Sequence, residues 1–415
     1  MAEPLSFCMV TTFYPPYHFG GDAMHAYRLT NALARRGHSV TVVHSEDTYR
    51  ALGGADPAGS FPHEPGVTLR PLRTAFPLGA ATATYLSGRP VFYGRQLDDV
   101  FREQRFDVVH FHNVSLAGGP GVLRYGDGVK LYTTSEHWLV CPMHVLFRDN
   151  REPCVEPHCL RCTLAFRRPP QLWRYTRLLE RELPHVDLFL SPSRFTKRAH
   201  EERGFTRPIR HLPYFLPPVE PADPARRERP YFLFVGRLER LKGVQVLVEA
   251  LRSYREADLL IVGEGEYRAE LERLAAGLDH VHFLGRVHPS ELPPLYAGAV
   301  SLLVSSIGYE VFGIVVLEAF AQRTPAIVHD LGALPEVIEE AGGGLVYRTP
   351  AELVDALETL RTDPGRRQEL GDTGHDALQR LWSEDTHVKS YFAALDEARG
   401  LSGRPSSPVT KLGRP

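Results

Sequence analysis

Short apolar runs alternate with stretches of helical periodicity along almost the whole chain. Near-continuous apolar runs are typical of strands that are buried on both faces. Strands of this kind, separated by helices, predict an α/β fold built on parallel sheets. We predict five strands in each half of the chain, at 6–11, 39–43, 107–111, 130–134 and 187–191, and at 231–235, 258–262, 280–284, 300–304 and 326–328.

A proline-rich interval without periodicity separates the two sets of strands. We interpret residues 214–230 as a linker between two doubly wound domains, over residues 1–215 and 230–383. A last periodic segment at 384–398 predicts a helix that returns to the first domain. The Gly-, Pro- and Ser-rich end, 399–415, predicts a flexible tail.

Composition narrows the classes of protein. The chain is 43% apolar and 24% charged, which is ordinary for a globular protein, and 48 Lys and Arg against 50 Asp and Glu argue against a nucleic-acid binder. No apolar stretch reaches the roughly 18 residues of a membrane helix, and the start lacks the cationic region of a signal peptide. With only five cysteines in 415 residues, we expect a cytoplasmic protein, with peripheral membrane contact left as an option.

Candidate chemistry lies where strands end, because open α/β sheets bind ligands at the carboxyl ends of their strands. Gly20-Gly21 follow the first strand and allow the backbone to approach a phosphate or a sugar. Arg237 and Lys242 follow the strand at 231–235, where two fixed cations would neutralise a diphosphate.

A further helix is predicted to begin near Gly313, with its N–H groups pointing towards an anion. Glu310 precedes this helix and Glu318 lies inside it. Carboxylates at these positions would accept hydrogen bonds from sugar and ribose hydroxyls.

Taken together, these motifs resemble those of one family. Gly20-Gly21, Arg237 with Lys242-Gly243, Gly263-Glu264-Gly265 and the Glu-x7-Glu of Glu310 and Glu318 are similar, in order, to the retaining nucleotide-sugar glycosyltransferases of family four. The resemblance covers residues 5–398. It implies GT-B architecture, in which two Rossmann-like domains face an interdomain cleft. The first domain would bind the acceptor and the second the nucleotide sugar.

The same resemblance implies a role for each matching position. The catalytic residues would be Arg237 and Lys242 on the donor diphosphate, Glu310 on the sugar hydroxyls, and His137 near the reacting sugar carbon. The donor-binding residues would be Gly20 and Gly21 at the diphosphate, Phe312 and Gly313 near the sugar, Glu318 on the ribose and the Val287 backbone at the base.

A UDP- or GDP-type donor and a hydroxyl-bearing acceptor (a glycan, a lipid-linked sugar or a small metabolite) follow from this resemblance, with retention through front-face attack. Because the chain contains no Asp-x-Asp sequence, we expect no catalytic divalent metal. Two alternatives remain at this stage. One is another GT-B enzyme such as a sugar-nucleotide epimerase, and the other is a non-catalytic carbohydrate-binding scaffold.

Four of the five cysteines lie within an irregular segment at about 140–170, with the spacing C-x12-C-x4-C-x2-C: Cys141, Cys154, Cys159 and Cys162. This spacing predicts a structural zinc ion on four thiolates. The alternatives are an iron–sulfur cluster, a site in which His144 or His158 replaces one thiolate, and four reduced cysteines without metal.

The segment after these cysteines interleaves arginines with apolar and aromatic side chains between residues 161 and 181. A basic helix with aromatic residues would lie on an anionic membrane surface or meet a phosphorylated lipid acceptor. The pattern favours the simpler interpretation of a solvated arginine face with Trp173 and Leu178 in the core. We therefore expect weak membrane contact at most.

Overall fold

The computed structural model describes residues 3–54 and 60–402, and most of their strands belong to two separate parallel sheets. The first sheet has seven strands in the order β3-β2-β1-β4-β5-β8-β9. A short antiparallel hairpin, β6-β7, lies in the cysteine-rich segment. The bounds are β1 (Ser6–Val10), β2 (Ser39–His44), β3 (Val67–Pro71), β4 (Val108–Phe111), β5 (Val129–Thr133), β6 (Phe147–Arg148), β7 (Glu152–Pro153), β8 (Leu188–Ser191) and β9 (Ile209–His211).

The second sheet belongs to the C-terminal half of the chain and has six parallel strands in the order β12-β11-β10-β13-β14-β15. Its central strands are buried on both faces, so that Phe232 and Leu233 point to opposite sides of β10 and are both fully buried. The bounds are β10 (Tyr231–Val235), β11 (Asp258–Val262), β12 (Val281–Gly285), β13 (Ser301–Val304), β14 (Ala326–His329) and β15 (Gly344–Tyr347).

Helices connect the strands and cover both faces of each sheet. No helix in the part of the chain that the structure describes is both long enough and apolar enough to cross a bilayer. The bounds are α1 (Gly21–Arg35), α2 (Glu46–Ala51), α3 (Pro77–Ser87), α4 (Gly94–Glu103), α5 (Cys159–Ala165), α6 (Leu178–Glu182), α7 (Arg194–Glu201), α8 (Val244–Ser253), α9 (Arg268–Leu274), α10 (Leu292–Gly298), α11 (Ile314–Ala321), α12 (Leu334–Ala341), α13 (Pro350–Thr362), α14 (Pro364–Leu381) and α15 (Glu384–Leu401).

The predicted α/β class with two parallel sheets is confirmed. The ten predicted strands correspond to ten strands of the two sheets, with differences of at most one residue at either end. Three edge strands, β3, β9 and β15, were not predicted. Their apolar runs are short, and most of β3 is exposed, so the burial pattern of a central strand is missing.

The last helix, α15, packs against β5 and β8 of the first sheet, although it follows the second sheet in sequence. Tyr391 is fully buried there, and its hydroxyl lies 3.1 Å from Nδ1 of His110. Leu216 donates a backbone hydrogen bond to the carbonyl oxygen of Trp382 at 3.0 Å, so the chain crosses between the halves twice at neighbouring positions. Of the tail predicted at 399–415, residues 399–401 form the end of α15, and the residues from 403 onward lie outside the described part.

The carboxyl ends of the two sheets meet across a cleft. Gly21 follows β1 and begins α1, whereas Ile314 follows β13 and begins α11. A methyl group added to Gly21 would lie 3.2 Å from Cδ1 of Ile314. The two loops in which we predicted phosphate contacts therefore face each other.

Candidate functional site

The centre of the candidate site is an ion pair between Lys242 and Glu310. The Lys242 Nζ lies 2.6 Å from Oε1 of Glu310, and the Ser306 hydroxyl donates to the same oxygen at 2.5 Å. Both charged side chains are about four-fifths buried. The pair connects the loop after β10 with the loop before α11.

The charge state of Glu310 follows from its neighbours. Burial alone would raise the pKa of Glu310, but the charge of Lys242, the hydrogen bonds from Lys242 and Ser306 and the charge of Arg237 outweigh it and hold the pKa below its ordinary value. Arg237 is half exposed and pairs with Glu239 at 2.8 Å. Arg237, Lys242 and Glu310 thus form one electrostatic group, with a carboxylate that is ionised at neutral pH.

Close backbone packing fixes the loop that carries the two cations. Gly243 has φ +72°, and a Cβ there would lie 1.9 Å from the carbonyl oxygen of Ser305. Gly263 has φ +138°, and its Cβ would lie 1.8 Å from the carbonyl oxygen of Gly236. Only glycine fits these positions, because both the backbone conformation and the space exclude a side chain. The glycines therefore hold the ends of β10, β11 and β13 together beneath Lys242.

The helix N-terminus that we predicted is present. Gly313 has φ +103° and is the residue before α11, which begins at Ile314. Phe312 is buried and packs edge-on against Tyr214 with ring centroids 5.6 Å apart. Gly20 and Gly21 lie opposite this helix start, so the positive end of the α11 dipole points into the cleft between the halves.

Glu318 makes contacts that the sequence did not indicate. Its Oε1 lies 2.8 Å from the Arg28 guanidinium, and its Oε2 accepts from the Tyr296 hydroxyl at 3.1 Å. Arg28 belongs to α1, so this ion pair spans the cleft. Arg28 lies two helical turns after Gly21, on the same face of α1, and this spacing is the signal by which it could have been found.

Val287 follows β12 and packs at the edge of the core of the second sheet. Its neighbour Arg286 is close enough to His18 to help lower the pKa of that imidazole, although burial is the main cause. His18 lies in the loop that carries Gly20. The Val287 loop therefore approaches the same loop of the first half as α11 does.

His137 lies apart from the group around Lys242. Its ring is almost fully buried between Phe195 and His200, with ring centroids 6.4 and 5.6 Å away, and neither ring nitrogen has a hydrogen-bond partner in the described part of the chain. Burial holds the pKa of His137 well below its ordinary value, with a smaller effect from His200. Phe195 also packs against Tyr309, at 5.0 Å. His137 is thus one layer behind the residue that precedes Glu310.

A polar cluster on the cleft side of the first sheet was missed by the sequence analysis. The Asn113 amide donates to Asp22 at 3.3 Å and to Glu136 at 3.2 Å. Oε2 of Glu136 also lies 2.7 Å from Nδ1 of His144, whereas its Oε1 is buried without a partner among the described residues. Asp22 adjoins Gly21 at the start of α1, which places the cluster beside the α11 helix start. Its residues follow three different strands, so the sequence contains no local motif from which the cluster could be predicted.

The prediction of a zinc centre on the four cysteines finds no support. Cys141, Cys154, Cys159 and Cys162 do line one small pocket. Within residues 3–54 and 60–402, however, no group of three or more His, Cys, Asp or Glu side chains is arranged to hold a metal ion.

The cysteine-rich segment is held by other contacts. Three of the four thiols are buried in an apolar cluster with Leu146. The backbone N–H of Asp149 donates to Sγ of Cys162 at 3.3 Å, and burial raises the pKa of Cys154 to about 11, which favours the neutral thiol.

Comparison with known families matches nearly the whole length of the chain. Residues 19–218 match the model described as glycosyltransferase family 4, and residues 220–376 match the model described as glycosyl transferases group 1. The chain is 36% identical to an alpha-D-kanosaminyltransferase from Streptomyces kanamyceticus, over 35% of this chain and 40% of that protein. It is 27% identical to a D-inositol 3-phosphate glycosyltransferase from Pseudarthrobacter chlorophenolicus, over 94% of each. The chain spans less than half the length of the kanosaminyltransferase and of an uncharacterized glycosyltransferase from Methanocaldococcus jannaschii, to which it is 35% identical over 41% of this chain and 46% of that protein.

Solved structures show the same fold over the full chain. Sucrose-phosphate synthase from Thermosynechococcus elongatus superposes with a TM-score of 0.73 at 19% identity, over 95% of this chain and 99% of that one. HepE from Anabaena, solved in complex with UDP and glucose, superposes with a TM-score of 0.65 at 15% identity, over 94% and 99%. At these identities the likeness concerns the fold alone.

Proposed function

Because the chain belongs to glycosyltransferase family four and has the GT-B fold, we propose that it transfers a sugar from a nucleoside diphosphate sugar to an acceptor hydroxyl. The observation that carries this proposal is the group of Arg237, Lys242 and Glu310 beside the start of α11. Two cations and a helix N-terminus can hold a diphosphate, and a carboxylate can hold sugar hydroxyls.

In this proposal, residues 230–383 bind the donor. Lys242 and Arg237 contact the diphosphate, with Gly20 and Gly21 on its other side. Glu310 binds the sugar hydroxyls, Glu318 the ribose, and the Val287 backbone a uracil or guanine base. Binding of ribose to Glu318 requires Arg28 to share or release that carboxylate, since both oxygens already have partners.

The reaction would proceed with retention. The anomeric carbon forms a bond with the acceptor oxygen on the face from which the phosphate oxygen leaves, and the acceptor proton passes to that phosphate oxygen. Charge grows on the diphosphate as the bond breaks. Removal of one preorganised donor from the oxyanion hole of a protease costs about 3–4 kcal/mol, and we expect a similar contribution from Lys242.

We place the acceptor in the first half, residues 1–215, against the cluster of Asp22, Asn113 and Glu136. Asp22 and Glu136 offer carboxylate oxygens to hydroxyl groups, and Oε1 of Glu136, which has no partner among the described residues, can accept one more hydrogen bond. The amide oxygen of Asn113 already accepts from the N–H and the hydroxyl of Ser115. A hydroxyl-rich acceptor fits this chemistry, whether it is a glycan, a lipid-linked sugar or a small polyol.

The test is nucleotide release from a panel of UDP- and GDP-sugars, with and without a mixture of hydroxyl acceptors, followed by NMR of the product anomer. We expect acceptor-dependent release that falls about 100-fold or more in Lys242→Ala and in Arg237→Ala. The exposed Lys389→Ala serves as the control and should leave turnover unchanged.

Other outcomes would contradict the proposal. A donor that is isomerised without acceptor would indicate an epimerase, and donor binding without any turnover would indicate a scaffold. Unchanged turnover in both Lys242→Ala and Arg237→Ala would remove these residues from the site. An inverted product would refute retention alone.

A further inference from the structure

Exposed apolar side chains are concentrated on one side of the first half of the molecule. Fifteen large apolar side chains are exposed among the described residues, and nine of them come from two segments, residues 76–92 and 160–175. They include Phe76, Leu172 and Tyr175, which are each more than 60% exposed. We call the surface that residues 76–92 and 160–181 form the arginine-rich face.

The two segments pack against each other and so form a single surface. The Trp173 indole N–H donates to the carbonyl oxygen of Tyr85 at 2.9 Å, and the Tyr85 hydroxyl donates to that of Pro169 at 2.9 Å. Arg174 lies over the rings of Trp138 and Trp173, at 5.3 and 4.6 Å, and is largely buried. Arg174 thus fixes the second segment to the core, and the remaining arginines point outward.

A cavity of about 300 Å³ opens on this face. Three arginines line it, Arg89, Arg177 and Arg181, and its apolar part is formed by Trp173 and Leu178. A volume of this size accommodates a phosphate group with its ester substituents, and guanidinium groups bind phosphate oxygens in pairs.

The positive charge of this face is poorly compensated. Arg89, Arg168 and Arg181 are exposed, and the structure shows no ion pair for them within the part of the chain that it describes. Arg177 pairs with Glu180 at 3.1 Å, but both side chains are more than two-thirds exposed, so that an anion can compete for this arginine. The guanidinium groups of this face therefore favour binding to an anionic partner.

We propose that the arginine-rich face docks on an anionic phospholipid surface, with a lipid phosphate in the cavity of Arg89, Arg177 and Arg181. Projecting apolar side chains such as Leu172 and Tyr175 then enter the interfacial layer of the bilayer. An acidic protein would satisfy the arginines, but only a lipid surface offers anionic groups above an apolar layer of the same extent. This proposal does not depend on the transfer reaction.

The cysteine-rich segment connects the arginine-rich face to the candidate site through packing contacts. Its helix α5 contains Cys159 and Cys162, which line the pocket of the cysteine-rich segment. Phe147 of the same pocket lies 3.5 Å from the place that a Cβ on Gly308 would take, two residues before Glu310. A protein docked by this face would hold the cleft near the lipid surface.

The experiment is sedimentation of the full chain with vesicles of phosphatidylcholine alone and of phosphatidylcholine with 30% phosphatidylglycerol. We expect binding to the anionic vesicles only, weakened by raising the salt concentration. The triple variant Arg89→Glu, Arg177→Glu, Arg181→Glu should bind at least tenfold less. The matched control Arg255→Glu, Arg273→Glu, Arg366→Glu changes the net charge equally on the other half and should bind like the wild type.

A second variant tests the apolar part without a change in charge. Leu172→Ser with Tyr175→Ser should reduce vesicle binding severalfold while the thermal unfolding midpoint stays unchanged, because both side chains are exposed. Equal losses in the matched control, or equal binding to neutral vesicles, would overturn the proposal. The proposal would also be overturned if the Leu172→Ser, Tyr175→Ser variant bound vesicles like the wild type and light scattering showed that the wild type is a dimer and the variant a monomer. The apolar side chains would then serve a contact between two copies of the chain. Turnover of a soluble acceptor by the same variants reports separately on the proposed function.

Discussion

At the scale of single residues, the decisive feature is a buried pair of opposite charges. Lys242 and Glu310 each lose most of their water, and each compensates the other at 2.6 Å. Ser306 and Arg237 add to the stabilisation of the Glu310 carboxylate. If a donor diphosphate draws Lys242 away, the Glu310 carboxylate loses a hydrogen-bond donor. The hydroxyl groups of the transferred sugar would then donate to it instead.

We predict that replacing Lys242 lowers the free energy of unfolding by an amount that depends on pH. The native pKa of Glu310 lies below its ordinary value, so its ionisation stabilises the fold above the unfolded-state pKa, and this contribution is lost as the pH falls through the native pKa. In Lys242→Met the buried carboxylate loses its main partner, and its pKa should rise. We expect a destabilisation of about 2 kcal/mol at pH 7 that shrinks towards pH 4, measured by guanidinium unfolding. The double variant Lys242→Met, Glu310→Gln is the control. Its loss of unfolding free energy relative to the wild type should change less between pH 7 and pH 4 than the loss in Lys242→Met does.

At the scale of elements, glycines decide where the ends of the strands can meet. Gly243 and Gly263 bring three loops into contact that any side chain would separate. The loops carry the cations, so the shape of the candidate diphosphate site depends on backbone packing as much as on charge.

A comparison of two glycines isolates this effect. Gly243 and Gly277 have nearly equal positive φ, +72° and +82°, but only Gly243 faces a close neighbour, whereas Gly277 has nothing within 4 Å. Gly277→Ala should cost about 1–2 kcal/mol from backbone strain alone. Gly243→Ala should cost at least twice as much and also raise the donor KM. Equal costs, measured by thermal unfolding, would show that the contact with Ser305 relaxes freely.

The elements also show how far sequence analysis reaches. Buried strands and the start of α11 could be predicted because apolar runs and a preceding glycine are local signals. A basic helix was one interpretation of the segment at 161–181, but the structure divides this segment among the end of α5, a short 3-10 turn at Leu172–Tyr175 and the start of α6. Arg174 explains the break, since it is drawn inward over Trp138 and Trp173, and burial lowers its pKa to about 10.

The candidate site shows the same limit. Lys242, Glu310 and Gly313 lie in short motifs that the sequence displays directly. Arg28 pairs with Glu318, which is 290 residues away, so this partner becomes visible only when the two sheets are placed against each other. Glu136 contacts Asn113 and His144 within the first half, and these residues come together only when the loops after β4 and β5 are in place.

At the scale of the whole molecule, a cluster of buried imidazoles lies where the halves join. The ring of His25 stacks on that of Tyr214 with ring centroids 4.1 Å apart, and the ring centroids of His110 and His112 are also 4.1 Å apart. The Nδ1 of His387 is 2.7 Å from the carbonyl oxygen of Pro213. Burial lowers the pKa of His112 to about 3 and that of His387 to about 4, and it holds those of His25 and His110 well below the ordinary value.

These imidazoles predict that stability falls in mild acid. The native pKa values lie below that of the unfolded chain, so between about pH 6.5 and pH 4 the unfolded state binds protons that the folded state does not. Each imidazole should cost about 1.4 kcal/mol per pH unit in that range. His112→Phe should reduce the slope of unfolding free energy against pH by about this amount. An unaltered slope in His112→Phe would mean that His112 is protonated in the folded protein.

The paired crossings at Leu216 and Trp382 have a mechanical consequence. Because the two crossings are joined by a backbone hydrogen bond, they lie side by side and can act as a pivot between the halves. Rotation about that pivot widens the gap between Gly21 and Ile314 while both covalent connections keep their length. Such a rotation must also break the contacts that cross the cleft, among them the ion pair of Arg28 with Glu318 and the backbone hydrogen bonds from Arg194 and Phe195 to the Glu336 carboxylate.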